Sequence, residues 1–503
     1  MSLPAALSRW GAFDELARAL AAGPVCVEAH GVWGSARALV IAGLALGGRR
    51  CALAVAPGAA QAHAMSLDLA FFAASLAPGA APRVLEFPPA QPAAWRGGRK
   101  TEHDAERALV CHRLLSGDPA IVVATPAALS APLLPPAEFR ARAFRVGLGD
   151  AFVREDLADK LAAAGYERVE SVVEVGQWSA RGGIVDVFSP ARDRPVRAEF
   201  LGDEVESLRV FDPTTQRSVD ETDEFDVLPL ASADAGGALV AYLPTDTLVA
   251  LDEATELEAP AEDAPAVEPL SQMLAGFQRV ELSLLPGRGA VPRVDMGTRS
   301  VGGFTGQFKT LAAEVQRWLL EGFAVRLVVS DEAQGARLGR ILSEHGLEAW
   351  PAASLWSPEG LGVLVGDSAT GVQLPALGRV VLSEQEIFGA RRRRLRRPLF
   401  ARGAAIAAFT DLSPNDLVVH ESHGVGRYHG LSTLSVDGRD ADFLLLEYGD
   451  GGRLYLPVDR LDLISKYMGA PDGAARLDRL GGGAWARVKE SVRAALRLSL
   501  IHI

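Results

Sequence analysis

At 503 residues the chain is too long for one core of ordinary size, and two to four domains are expected. Hydrophobic residues make up 49% and charged residues 23%, which excludes an intrinsically disordered chain. Sixty-three acidic against fifty-one basic residues give a net charge of -12, so the surface as a whole cannot coat phosphate backbones and any nucleic-acid contact must be local.

The predicted elements begin with a parallel α/β pattern. Val25 to Ala29, Cys51 to Val55 and Ile121 to Ala124 read as buried strands, separated by helices at Ala36 to Ala45 and Ala59 to Ala74. From Ala137 to Ala231 the pattern changes to an inserted antiparallel β unit. Its strands are Gln177 to Ala180, Gly183 to Phe188, Val196 to Leu201 and Val205 to Phe211, with turn signals at Asp193-Arg194-Pro195 and Gly202-Asp203 and a helix at Leu157 to Ala164. Tyr242 to Leu251 returns to a buried strand that closes the first domain, and Ala254 to Pro269 reads as a solvated loop. A second α/β unit follows, with strands at Phe323 to Ser330, Leu361 to Val365 and Arg379 to Leu382 and helices at Leu311 to Leu320 and Gly335 to His345. The basic run Arg391 to Arg397 reads as a solvated linker or a phosphate-contacting patch. The last unit is all β, with strands at Asp416 to His420, Val425 to Leu434, Asp442 to Tyr448 and Arg453 to Pro457 and a hairpin turn at Gly449-Asp450-Gly451-Gly452; so short a unit is expected to close into a small barrel. A helix is expected to start at Ala484.

The expected fold class is therefore multidomain α/β. Residues 1–136 and 232–290 form one α/β domain, 137–231 the inserted β domain and 300–390 a small second α/β domain. Residues 391–410 are an Arg-rich linker, 411–470 the barrel and 483–497 the start of a helix. Cys26, Cys51 and Cys111 are odd in number and lie in or beside apolar segments, so they read as core residues, with no disulfide frame and no metal site. The absence of a long apolar run or a basic-then-apolar leader gives the expectation of a cytoplasmic protein without a membrane partner.

One motif bears on chemistry. Gly31-Val32-Trp33-Gly34-Ser35-Ala36-Arg37-Ala38 lies between a strand and a helix, the setting of a phosphate-binding loop. A working loop needs glycine, lysine and a hydroxyl where this chain has Ala36, Arg37 and Ala38. Arginine is bulkier and planar, and alanine cannot ligate Mg²⁺. Gly31, Gly34 and Arg37 therefore mark a degenerate phosphate loop without a bound cofactor. Asp252-Glu253 resembles the acidic pair of a motor's metal site, with nothing to hold.

The stretch from Gly31 to Ala38 resembles a degenerate phosphate loop of UvrB, the excision-repair protein. Gly176 to Phe188 and Val196 to Ser207 resemble its inserted domain, the docking surface for UvrA. UvrB's tyrosine-rich hairpin is missing after Pro88. Val418 to Tyr428, Phe443 to Tyr448, Leu454 to Val458 and Leu461 to Tyr467 resemble the RNA-polymerase-interacting domain shared by CarD-type regulators and bacterial transcription-repair coupling factors, and the combination resembles the N-terminal part of the coupling-factor family, Mfd. The resemblance implies a degenerate UvrB-like front and a Tudor/CarD-like β barrel, with UvrA and the RNA polymerase β subunit as partners. It also implies contact with double-stranded DNA mainly through motor domains absent from this chain, where ATP and Mg would bind. By motif position it implies Arg181, Arg197 and Leu201 as UvrA-binding residues, Leu201 standing where the family often has a second aromatic after Phe200. For polymerase it implies strand-edge addition, with Leu434, Tyr428 and Arg427 as contact candidates. His420 and His423 read as structural.

The last six residues, Leu498 to Ile503, depart from the expected helix and match an in-frame sequencing adapter, so the natural gene is expected to continue past Arg497. Three readings stand beside one another: part of an ATP-dependent translocase, a motor-less adaptor, and a CarD-like transcription regulator with an unrelated front. The arginine-bearing insertion argues against the third.

Overall fold

The computed structural model describes residues 5–23, 25–90, 102–152, 154–230, 236–257, 270–287, 290–357, 360–389, 416–420, 424–436, 439–449, 451–457 and 464–466. The chain divides into two compact units. Residues 1–211 and 218–395 form one, and the segment beyond residue 395 makes up most of the other.

The first unit is built on a seven-stranded, wholly parallel sheet. Its strands run Arg293–Asp295, Cys26–His30, Gln278–Leu282, Leu248–Asp252, Ala52–Val55, Ala120–Ala124 and Arg83–Phe87 across the sheet. The strands Ala52–Val55, Ala120–Ala124 and Leu248–Asp252 are buried at every residue, the pattern of a parallel sheet covered on both faces, which is why their sequences are apolar throughout except at the terminal Asp252. The helices Ala36–Gly48 and Ala59–Leu76 follow the strands Cys26–His30 and Ala52–Val55 in chain order, as the periodicity predicts. The strands Arg83–Phe87, Gln278–Leu282 and Arg293–Asp295 were not legible beforehand, because polar residues break their apolar runs. Arg293–Asp295 carries the sheet past residue 290. The expected single strand from Tyr242 is corrected: Leu239–Tyr242 is a 3-10 turn, Pro244 follows it, and the strand begins at Leu248. The expected loop at Ala254 starts as a short helix, Ala254–Leu257, and residues 258–269 lie outside the described residues.

The inserted β region leaves and rejoins this domain through a paired entrance. Phe144–Gly147 runs antiparallel to Glu224–Val227, and Leu133 exchanges backbone hydrogen bonds with Gly237. Between them lies a six-stranded sheet, in the order Ser218–Glu221, Glu204–Phe211, Val196–Leu201, Ile184–Val187, Gln177–Arg181 and Glu167–Arg168. Strand alternation buries Trp178, Val185, Val196, Ala198, Phe200 and Leu208.

The second α/β sheet orders Trp350–Pro351, Leu361–Val365, Ala324–Val329, Arg379–Ser383 and Val372–Leu374, the last strand antiparallel to its neighbour. It is not a separate bead. One continuous core joins Leu69 and Phe72 of the first domain to Val328, Leu355, Val372 and Val381 of the second.

The second unit is a five-stranded antiparallel sheet in the order Arg453–Pro457, Arg439–Glu447, Gly424–Val436, Leu417–His420 and Ile464–Lys466. A bulge at His429, next to Gly430 at φ 123°, shifts the register of its long hairpin. Among the described residues no pairing joins the two outer strands. The Arg391–Arg397 run, His423 and the helix expected from Ala484 lie outside the described residues.

Candidate protein-docking surfaces

On the inserted sheet, register decides which side chains meet. Ser179, Asp186 and Arg197 face one another across three strands, as do Arg181, Ile184 and Glu199, all on the face opposite the core. Asp186 is 1% exposed and carries the arrangement. Arg197 Nε and Nη2 donate to its two oxygens at 2.7 and 2.9 Å, a bidentate fork, and the Arg197 guanidinium also lies 4.7 Å from the centre of the Phe211 ring. Arg181 Nη2 approaches the same carboxylate at 3.5 Å, with its side chain 60% exposed against 18% for Arg197. Asp186 fixes Arg197 and biases Arg181, leaving most of the Arg181 guanidinium open to solvent. Leu201, 71% exposed, ends the same face. Glu199, on the same face, is taken by Ser207 Oγ at 2.8 Å and Arg209 Nη1 at 3.4 Å.

The structure thus brings Arg181, Arg197 and Leu201 onto one face and gives them unequal parts. Arg197 is committed to Asp186, while Arg181 and Leu201 are presented outward. Asp186 and Arg209 were missed beforehand; an aspartate inside the apolar run Ile184–Val187 was the available signal.

At the degenerate phosphate loop, Arg37 does have an occupation. Its Nε lies 3.0 Å from Asp252 Oδ1, close enough for an ion pair though not aligned as a hydrogen bond, and its Nη2 donates to Glu253 Oε1 at 2.5 Å. The expectation that the acidic pair has nothing to hold is corrected: it holds Arg37. Glu253 is in the left-handed region at φ 51°, a conformation costing on the order of 1–2 kcal/mol outside glycine. Its bonds from Arg37 and from the Leu284 amide, the latter at 3.0 Å, offset that cost.

In the C-terminal sheet, Arg427 is exposed on Gly424–Val436 and pairs in register with Glu447. Tyr428, the second candidate, is 4% exposed, and burial raises its hydroxyl pKa, so its ring packs within the sheet. Leu434 stands opposite Ala441 in the distal half of the long hairpin, and its side chain lies outside the described residues. Arg453–Pro457 is an outer strand of the sheet and carries Tyr455, 39% exposed, which was not singled out beforehand.

Comparison with known proteins bears on these surfaces. Residues 144–232 match the UvrB interaction domain family, and residues 412–468 match the CarD-like/TRCF RID domain family. The chain is 30% identical to the transcription-repair-coupling factor of Myxococcus xanthus, over 93% of this chain and 48% of that protein. This chain is homologous to the N-terminal region of transcription-repair-coupling factors. The coupling factor of Bacillus subtilis is 26% identical over 78% of this chain and 41% of its own length. That of Staphylococcus aureus is 24% identical over 67% and 37%. The chain therefore spans about half or less of the coupling factors it matches. Among the described residues no helix is long and apolar enough to cross a membrane, and no cluster of His, Cys, Asp and Glu forms a metal site.

Proposed function

We propose that this chain is the recruitment portion of a transcription-repair coupling factor. In this reading the inserted sheet docks UvrA, the C-terminal sheet binds the β subunit of a stalled RNA polymerase, and together they start excision repair on the transcribed strand. ATP-driven movement on double-stranded DNA would reside in parts of the protein outside this chain. The observation that carries the reading is the exposed Arg181 and Leu201 face inside the matched UvrB interaction domain, in one chain with the matched polymerase-interacting domain.

The chemistry is that of preorganised docking. Arg181, held near Asp186 on a strand rather than a loop, loses little freedom when a partner carboxylate takes its free N–H groups. Leu201 supplies apolar area beside it. On the C-terminal sheet, Arg453–Pro457 has the geometry for strand addition, in which main-chain hydrogen bonds supply much of the affinity.

Calorimetric titration of UvrA and of a polymerase β-subunit fragment into the 503-residue chain tests both halves. Saturable binding of each is expected, with Arg181→Ala weakening only the UvrA arm; a folded chain that binds neither would overturn the reading. Sequencing the source DNA beyond the Arg497 codon separates this reading from a motor-less adaptor, since only the former predicts a downstream phosphate loop with an intact lysine.

A further inference from the structure

The degenerate phosphate loop is occupied from two directions. Its own amides are engaged first: Gly31 N donates to Leu284 O at 3.2 Å, Val32 N to Ser283 O at 3.1 Å, Trp33 N to Thr298 Oγ1 at 2.8 Å, Ala36 N to Trp33 O at 3.0 Å and Arg37 N to Gly34 O at 3.4 Å. A loop that cradles phosphate must turn such amides toward the ligand. Second, a loop of the second α/β region, Ser368 to Gly371, between the strands Leu361–Val365 and Val372–Leu374, is seated on it. Gly34, at φ 49°, is approached so closely that a Cβ there would collide with the carbonyl oxygen of Gly371, and Thr370 Oγ1 would lie 3.8 Å from that Cβ.

The seated segment is built to stay. Asp68, buried on the helix Ala59–Leu76, accepts from Ser368 Oγ at 2.8 Å, Ala369 N at 2.7 Å and Thr370 N at 3.3 Å through Oδ1, and from Thr370 Oγ1 at 2.7 Å through Oδ2. From the other side Glu386 Oε1 accepts from Gly371 N at 2.8 Å, and its Oε2 closes a capping box with Ser383. A Cβ on Gly371 would lie 2.7 Å from Val301 Cγ2 and from Val381 O, so glycine is required on this side of the contact too.

We propose that the degenerate phosphate loop is a socket, that Ser368–Gly371 is the plug seated in it and latched by Asp68, and that the plug itself excludes nucleotide. The lost lysine and hydroxyl are then only half of the reason for a closed site. The socket has been turned from ligand binding to joining the two α/β sheets of the first unit.

Two measurements on the full 503-residue chain test this. The first is amide hydrogen exchange in Asp68→Ala and in the milder Thr370→Val, which removes one hydroxyl bond. Exchange is expected to rise together at residues 369–371 and 33–37, about tenfold or more in Asp68→Ala and less in Thr370→Val; a rise at 369–371 with 33–37 unchanged would overturn the socket. The second restores the loop pattern with Ala36→Gly, Arg37→Lys and Ala38→Thr and follows a fluorescent ATP analogue with Mg²⁺. No binding is expected with the plug in place and saturable binding once Asp68→Ala is added. Binding by the restored loop with its plug seated, or by neither variant, would overturn the plug as the barrier.

Discussion

At Arg37 and at Arg197 an arginine is fixed by a buried aspartate, and the two places do opposite things. Around Arg37 the acidic pair, the loop amides and the seated Ser368–Gly371 segment leave the loop closed. Around Asp186 the carboxylate takes Arg197 fully and Arg181 in part, so a guanidinium and a leucine remain outward. An arginine–carboxylate pair by itself therefore identifies neither a binding site nor a structural clasp. What decides is whether donors and apolar area are left over once the pair has formed.

The largest effect that would sharpen this contrast is at Asp186. Asp186→Ala strands Arg197 beside a buried hole and is expected to cost about 3 kcal/mol or more in urea unfolding, with loss of UvrA binding as the face disorders. A cost below about 1 kcal/mol would show that Arg197 is supported by Phe211 and solvent instead. Asp68 comes next. Burial pushes its carboxyl up to about 6 from 3.8 despite four donors, so folding favours the protonated form relative to the unfolded chain. Its contribution to stability is present below the ordinary value and is lost as pH rises through about 6. Relative to Asp68→Asn, the wild-type chain should lose up to about 3 kcal/mol between about pH 4 and pH 7, measured by thermal unfolding. A difference constant with pH would mean that the donors balance burial, and one that grows in favour of wild type as pH rises would mean that they outweigh it.

Arg37→Ala should destabilise the first unit by about 1–2 kcal/mol, because it leaves Asp252 buried without this ion pair, while UvrA affinity stays unchanged. A fall in that affinity would break the separation between the two clusters. The smallest effect on stability belongs to Arg181→Ala, within about 0.5 kcal/mol, yet it should weaken UvrA binding about tenfold in the same titration. Equal losses of stability and affinity would make Arg181 a clasp like Arg197.

Much of this architecture was legible in the sequence where burial leaves one solution. Ala52–Val55 and Ala120–Ala124 are continuous apolar runs because both sheet faces are covered, Ala324–Val329 is apolar except for the buried Arg326, and Val196–Leu201 alternates because one face is covered. Arg83–Phe87 and Arg293–Asp295 were hidden, since edge strands carry polar residues and resemble loops. At the candidate site, Arg181, Arg197 and Leu201 were named from their motif. Their division of labour was not, because it depends on Asp186 standing opposite Arg197 in a neighbouring strand.

By itself the sequence determined the order of the α/β, inserted β and C-terminal β regions and the loss of glycine, lysine and hydroxyl at the phosphate loop, since these follow from local periodicity and residue chemistry. Only the tertiary structure decided that Tyr428 faces inward, that Arg37 closes on Asp252 and Glu253, and that Asp68 reaches a loop some three hundred residues away. Such contacts are set by register and by packing between distant segments, which no local pattern encodes.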